Sequence, residues 1–476
     1  MRRAAATAAA LAVMVAPEPA AAAQRLITID TPSRHVDPAR VRFNGANHPR
    51  RLRANVLLPE GYDGKRRFPV LFLLHGVGDN FESWTKPATG DIVQTAKGLP
   101  AIIVMPEAGR GFFTNWWNGG RRADPGWERY YIDELIPLVG ERFRVLPGRA
   151  NHAVAGTSMG GFGAGWLGTQ IPGYFGSVAS FSGFVQHQRA EIEVGLRLFG
   201  EVEYTDIFGP RDGFYATGHN PTRLAEGLSH TRVYVTVGDG TADPGAGSSP
   251  ATVTAGGAEE AALRAQSEEF VAAARAAGAQ TTYVPLPGVH DWPYWRRHLR
   301  DAIAWGLFRP VPEAPGSWSY LTVAQTGEMW GLRYRFLTPP AELVKFERAG
   351  KRLRARGAGT VSLAYAAGCE LTAALPFDRA LPPRICGRIA VKVRPRRARL
   401  GRTTRMRFRV TRIAGGRRFA LPGARIRIGG RTVRTNSLGR ARVRYRPRGR
   451  PGRRRARVGF TGLRTARPAL RVLPRR

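Results

Sequence analysis

Ser158 lies in Ala155-Gly156-Thr157-Ser158-Met159-Gly160-Gly161, a Gly-x-Ser-x-Gly frame. The short apolar stretch Val154-Ala155 precedes it, and Phe162-Gly-Ala-Gly-Trp-Leu-Gly168 follows, small and apolar enough to start a helix against a sheet. The order strand, sharp turn, helix places the serine at the apex of a strained turn. A side chain at Gly156 or Gly160 would collide with the neighbouring strand and helix there. A serine hydroxyl is a weak nucleophile at neutral pH, so this reading requires a base beside it. The competing reading, a glycine-rich loop with an incidental serine, makes no such demand.

Nine histidines are available. In the chain order that accompanies this turn, the acid follows the serine and the histidine comes last, past the final strand. His290 and His298 lie late enough. His290 sits in Pro287-Gly-Val-His-Asp-Trp-Pro-Tyr-Trp295, directly after the last expected strand. His298 falls in the charged stretch Arg296-Arg-His-Leu-Arg-Asp301 and reads as a surface residue. His290 is therefore the expected base. The acid must lie between Val237 and His290. Asp239 and Asp243 occupy the loop after the strand ending at Val237, and Glu259 and Glu260 are expected to begin the next helix. Generic geometry favours a loop Asp, because acids at a helix start also serve its dipole. Backbone N–H groups of Met159 and Val77 are the expected oxyanion donors, with His75 structural. Trp116, Trp117 and Phe112-Phe113 are candidates to line an acyl site, or else core. No metal-ligand spacing and no cofactor fingerprint is present, so neither a metal nor a cofactor is expected.

These residues need a scaffold of buried strands. Phe68-Pro-Val-Leu-Phe-Leu-Leu74 and Ala101-Ile-Ile-Val-Met105 are continuous apolar runs, as expected of strands covered on both faces. Arg53–Tyr62 reads as an apolar strand ended by a turn, and Ser177–Gly183, Arg232–Val237 and Thr281–Leu286 read as further strands. Trp127–Phe143 carries an apolar stripe at helical spacing, and Glu259–Gly278 reads as a helix. Alternating strands and helices predict an α/β fold with a parallel sheet. With the serine turn, this is the α/β-hydrolase pattern.

Residues 1–23 run from a basic start through an alanine-rich apolar stretch to small residues, the pattern of a secretory signal peptide. Residues 24–312 then hold the hydrolase domain, 313–388 a small β-rich module and 389–476 an arginine-rich β-sandwich. In that last part Met406-Arg-Phe-Arg-Val, Ala424-Arg-Ile-Arg-Ile and Ala441-Arg-Val-Arg-Tyr alternate strictly. The alternation predicts an immunoglobulin-like or carboxypeptidase-regulatory-like sandwich with arginine on its outer faces. Residues 388–476 contain 32 Arg or Lys and neither Asp nor Glu, so of the net charge of +39 only +7 belongs to the rest of the chain. Such a surface fits an anionic cell-envelope polymer or lipid head groups. Specific nucleic-acid binding is not expected, since no recognition helix or base-stacking pattern accompanies the charge. Cys369 and Cys386, in a chain read as exported, are expected to pair.

Five segments together resemble the putative-esterase family, which includes esterase D-like enzymes and the antigen 85 mycolyltransferases. They are Leu73-Leu-His-Gly76, Gly156-Thr-Ser-Met-Gly-Gly161, Ser180-Phe-Ser-Gly-Phe184, Val237-Gly-Asp-Gly-Thr241 and Gly288-Val-His-Asp-Trp-Pro-Tyr-Trp295. The resemblance covers roughly residues 50–308 and leaves the C-terminal third untouched. It implies that the acid is a Glu opening the helix after the strand-end loop, which falls on Glu260. It also shows departures: His75 stands where the mycolyltransferases carry an Asp, and Gly78 where they carry an Arg, both used for the sugar acceptor. The expected function is therefore a secreted or cell-surface serine carboxylesterase acting on a small ester or acylated carbohydrate. Acyl transfer to a sugar alcohol and a non-catalytic envelope-binding role are the alternatives.

Overall fold

A computed structural model describes residues 23–475 except 42–50, 122–124, 198–200, 365–368, 382–385, 415 and 462. The expected signal peptide thus lies almost wholly outside the described residues.

Eight strands form the central sheet in the order β1-β2-β4-β3-β5-β6-β7-β8. They are β1 Arg25–Asp30, β2 Arg53–Leu58, β3 Val70–Leu74, β4 Ile102–Pro106, β5 His152–Thr157, β6 Ser177–Phe181, β7 Arg232–Gly238 and β8 Gln280–Leu286. The first two join antiparallel, and every pair from β4 to β8 is parallel. Strands β3, β5, β6 and β7 are buried along their whole length, which explains their unbroken apolar runs. Alternate side chains serve two cores. Phe72, Val154, Val178 and Val235 pack on one side of the sheet, and Leu71, Ala155, Phe181 and Tyr234 on the other.

Three helices position the candidate site. Met159–Gln170 follows β5 directly. Pro250–Ala276 follows β7, and Trp292–Trp305 follows β8. The long helix starts nine residues before the expected Glu259, where the Ser249 hydroxyl accepts the Thr252 N–H and Pro250 takes the first turn. The expected helix at 127–143 is present as Trp127–Arg129, a π-helical Tyr130–Leu135 and Ile136–Arg142.

Beyond the part built on the eight-stranded sheet, two four-stranded antiparallel sheets enclose a core that includes Tyr320, Tyr334, Phe336 and Phe346. Arg149 ties this module to the sheet. The residue is 1% exposed and donates to the carbonyls of Pro172, Phe175, His230 and Pro312 and to the Thr231 hydroxyl, at 2.6–3.1 Å. Trp330 of the module covers the guanidinium at 4.3 Å, and Tyr320 donates to the Gln170 carbonyl at 3.1 Å. A disulfide joins Cys369 to Cys386.

Residues 388–473 form three further sheets of short strands around a separate apolar core. The alternation holds strictly over Arg440–Tyr445 and over 405–410, and it breaks at Ala390-Val391 and at Thr411-Arg412-Ile413. Val393, Met406, Phe408, Ala441 and Val443 point inward, with basic side chains outward. Register then stacks those cations side by side: Lys392 beside Arg409, Arg394 beside Arg407, and Arg405, Arg407 and Arg409 beside Arg444, Arg442 and Arg440.

Candidate active site

Ser158 caps the helix Met159–Gln170 with φ 53 and ψ −119, a conformation that β-carbon sterics disfavour. The turn is held because its neighbours leave no alternative. A Cβ on Gly156 would strike the Gly160 carbonyl and lie 2.8 Å from Leu74 Cβ. A Cβ on Gly160 would lie 2.5 Å from the Leu74 carbonyl oxygen. Both glycines are thus required by backbone contact, as the spacing predicted. Met159 opens the helix, so its N–H has no intrahelical acceptor. Opposite it, the loop after β3 folds into a turn closed by the Asp79 N–H on the Gly76 carbonyl at 3.3 Å, with Val77 inside it. A Cβ on Gly76 would lie 3.4 Å from Ser158 Cβ, so this turn borders the serine.

His290 comes from the loop between β8 and the last helix. Its N–H donates to the Gly256 carbonyl at 3.1 Å, which seats the loop on the long helix. The ring Nδ1 lies 2.9 Å from Glu260 Oε1. Glu260 is fully buried, and its other oxygen accepts the Gly238 N–H at the end of β7 at 2.7 Å. Glu260 thus sits in the third turn of the helix and not at its start. The stabilising role for an acid at a helix terminus does not apply to it. Asp239 instead accepts from Thr241 and from the Gly288 N–H, 3.3 Å away, and Asp243 accepts from Gly245; neither is bonded to His290. Glu259, the neighbour, places Oε1 3.3 Å from His290 Nε2.

Electrostatics follow from this enclosure. Burial opposes a charge on His290, but Glu259, Glu260 and Asp79 outweigh it and push the imidazole up to about 9. Burial raises Glu260, and the His290 contact overcomes this, holding its carboxyl below the usual range. Burial raises Asp79, whose partners include Ser83 and the Gly76 backbone.

His298 corrects the reading of a surface residue. It is 1% exposed, on the inward face of its helix with Tyr294, Trp295 and Leu299. Spacing of three and four places it on that face despite its charged neighbours. His75 is buried in the core, its Nδ1 2.8 Å from the Gly76 carbonyl and its Nε2 3.0 Å from the Ala108 N–H.

A cavity of about 240 Å³ opens beside Ser158. Val77, Phe112, Phe184, Ile192, Leu196 and Leu263 give it apolar walls, with Glu191 and Glu259 at the sides. Of the aromatic candidates, Phe112 reaches it. Phe113 packs on His75 and Tyr131 as core, while the half-buried Trp117 packs on Tyr215 and does not line the cavity. Ile192 and Leu196 carried no signal in the sequence, since the segment 190–196 holds no motif and joins the site through tertiary packing alone. Among the described residues no three His, Cys, Asp or Glu side chains gather as a metal site.

The chain is 38% identical over 133 residues to Esterase Rv1288 of Mycobacterium tuberculosis, a match covering 27% of this chain and 28% of that protein. It is 30% identical over 154 residues to the MPT51 antigen of Mycobacterium leprae, covering 31% and 49%. The match with Rv1288 therefore spans little more than a quarter of that relative's length. The crystal structure of Mycobacterium tuberculosis MPT51 is similar at 22% identity and a TM-score of 0.46, over 60% of this chain and 99% of that one. Residues 46–305, which hold the serine turn, the buried carboxylate and the late histidine, match the putative esterase family, and the chain belongs to that family of ester hydrolases.

Proposed function

We propose that this ester hydrolase is a serine carboxylesterase in which Ser158 is the nucleophile, His290 its base and Glu260 the acid. The observation that carries the reading is the 2.9 Å contact of Glu260 with His290 Nδ1, made next to a cavity that Ser158 borders. Glu260 fixes the ring orientation and stabilises the imidazolium that forms when His290 takes the serine proton. The serine oxygen attacks the ester carbonyl, and the oxyanion is met by the N–H groups of Met159 and Val77. His290 then returns the proton to the departing alcohol, leaving an acyl-serine. Water, deprotonated by the same imidazole, releases the acid. An acyltransferase would pass the same acyl group to an alcohol. The position that serves the sugar acceptor in the mycolyltransferases is here His75, buried and bonded to backbone, so water is the acceptor in this reading. Labelling by a fluorophosphonate, lost in Ser158→Ala, together with hydrolysis of a panel of 4-nitrophenyl esters, tests the assignment. A labelled Ser158→Ala protein would overturn it.

We further propose that the chain is exported and held near its cell by the arginine-bearing C-terminal unit, read as an immunoglobulin-like sandwich. The Cys369–Cys386 disulfide supports an oxidising compartment. The in-register cations support an anionic envelope polymer as partner. Among the described residues no helix is long and apolar enough to cross a membrane.

A further inference from the structure

Glu259 and Glu260 are consecutive on one helix, so their side chains diverge by about 100°. Both nevertheless reach the same imidazole, one at each nitrogen: Glu260 Oε1 lies 2.9 Å from Nδ1, and Glu259 Oε1 lies 3.3 Å from Nε2. The ring stands in the angle between them. Their surroundings differ. The Glu260 side chain is 1% exposed, and that of Glu259 is 34% exposed and borders the cavity that Ser158 also lines.

Nε2 is the nitrogen that a triad histidine must offer to the serine hydroxyl. In the free protein that position is held by a carboxylate. The cavity has a second acid, Glu191, but Arg189 binds it from outside. Among the described residues no lining residue is cationic. The charged groups facing His290 are Glu259 and Glu260 from the long helix and Asp79 from the turn after β3. From the last helix, Trp295 stands edge-on at 4.9 Å, and burial keeps His298 neutral.

We propose that Glu259 is a positioning and specificity residue of the ester site: it holds His290 Nε2 in the free enzyme, yields that nitrogen when a neutral acyl group fills the cavity, and turns away anionic acyl groups. The inference rests on the serine-esterase reading above. The proton balance is simple. In the free enzyme Nε2 carries a proton donated to Glu259. A neutral acyl group entering the cavity displaces the carboxylate toward solvent, and the Nε2 proton leaves to water along that exposed side. Nε2 then accepts from the Ser158 hydroxyl. An anionic acyl group, such as a hemisuccinate, would meet Glu259 across the same space with no cation to balance it.

The test compares the full-length protein with Glu259→Gln, which keeps the side chain's size and removes its charge. The first readout is the titration of His290, followed by NMR of 13Cε1-histidine. The second is the pH profile of kcat/KM on 4-nitrophenyl butyrate. The third is the ratio of kcat/KM on a neutral ester to that on the 4-nitrophenyl hemisuccinate. In the variant the His290 midpoint falls by about one unit or more, and the acid limb of kcat/KM moves down with it. Activity at pH 6 on the neutral ester then rises about tenfold, and discrimination against the hemisuccinate weakens through KM more than kcat. An unchanged His290 midpoint, or a moved midpoint with unchanged preference between the esters, would overturn the proposal. The NMR titration needs no turnover. Loss of the serine-esterase reading, seen as no fluorophosphonate labelling of the parent, is therefore distinguishable from failure of the Glu259 contact.

Discussion

In the proposed mechanism Ser158→Ala removes the hydroxyl on which the acyl-enzyme would form, and esterase activity is expected to fall by roughly 10⁴- to 10⁶-fold. Residual turnover would come from the oxyanion donors. Glu260→Gln leaves the packing nearly intact but removes the charge beside Nδ1, so kcat should drop by about 10³- to 10⁴-fold. Asp243→Asn should leave kcat near the parent value, because its carboxylate serves the Gly245 N–H at the surface. Steady-state kinetics of the two variants on one soluble ester decide between them, and the reverse ranking would move the acid to the loop. Ser158 and His290 could be read from residues because a glycine frame and a late, loop-borne histidine are local patterns. Spacing alone left Asp239, Asp243, Glu259 and Glu260 open as the acid; the family resemblance pointed to Glu260, and the packing of His290 in the angle between Glu259 and Glu260 shows how a step of one residue separates their places.

Strands were legible wherever burial on both faces made the run continuous, as in Val70–Leu74 and Ile102–Pro106. The start of the long helix was not. Ala251-Thr-Val-Thr-Ala-Gly-Gly257 has weak helical propensity, and its early turns form because Ser249 caps them and Gly256 lies against the His290 backbone. The last helix hid His298 among arginines, and that burial has a thermodynamic consequence. Burial pushes His298 down to about 4 and His187 down to about 3, both below the ordinary 6.5. Between pH 6.5 and these values the unfolded chain binds protons that the folded chain does not. Stability therefore falls as pH drops through that window, by up to about 1.4 kcal/mol per unit for each group. His290, raised to about 9, acts in the opposite sense: its contribution is present below 6.5 and is lost as pH rises through 9. Glu128, raised by burial from 4.5 to about 7, opposes the histidines between those values and offsets one of them, so denaturant melts across pH 4.5–9 should show a shallow maximum near neutrality. His298→Phe should flatten the acid side, since both ring nitrogens lack a hydrogen-bond partner in the fold. An acid slope unchanged in that variant would contradict the assignment.

At the scale of the whole molecule, the units are not equally separable. Removing everything after Phe308 would strip Arg149 of the Pro312 carbonyl and of Trp330, leaving a buried cation partly unpaired. The cation keeps its bonds to Pro172, Phe175, His230 and Thr231 but loses the cover that orders them. A chain ending there should aggregate or melt early. One ending near residue 387 keeps these contacts and should retain the parent kcat/KM on 4-nitrophenyl butyrate. That shorter chain should also lose retention on envelope preparations, whereas the full chain is retained and released by high salt. Equal retention of the two, or retention indifferent to salt, would remove the electrostatic tether. The rows of cations that motivate the tether also bear on how the terminal unit folds. Like charges placed directly opposite across strands repel, and residues 388–476 contain no acid to neutralise them. Its native state is thus a charged condenser that closes more easily when ions from outside lower the field. Small anions should raise the melting temperature of this unit, and a multivalent one such as tripolyphosphate should do so at lower concentration. In dilute buffer it should unfold before the hydrolase part. The envelope polymer proposed as the anchor would then also act as the counterion that completes the fold of this unit.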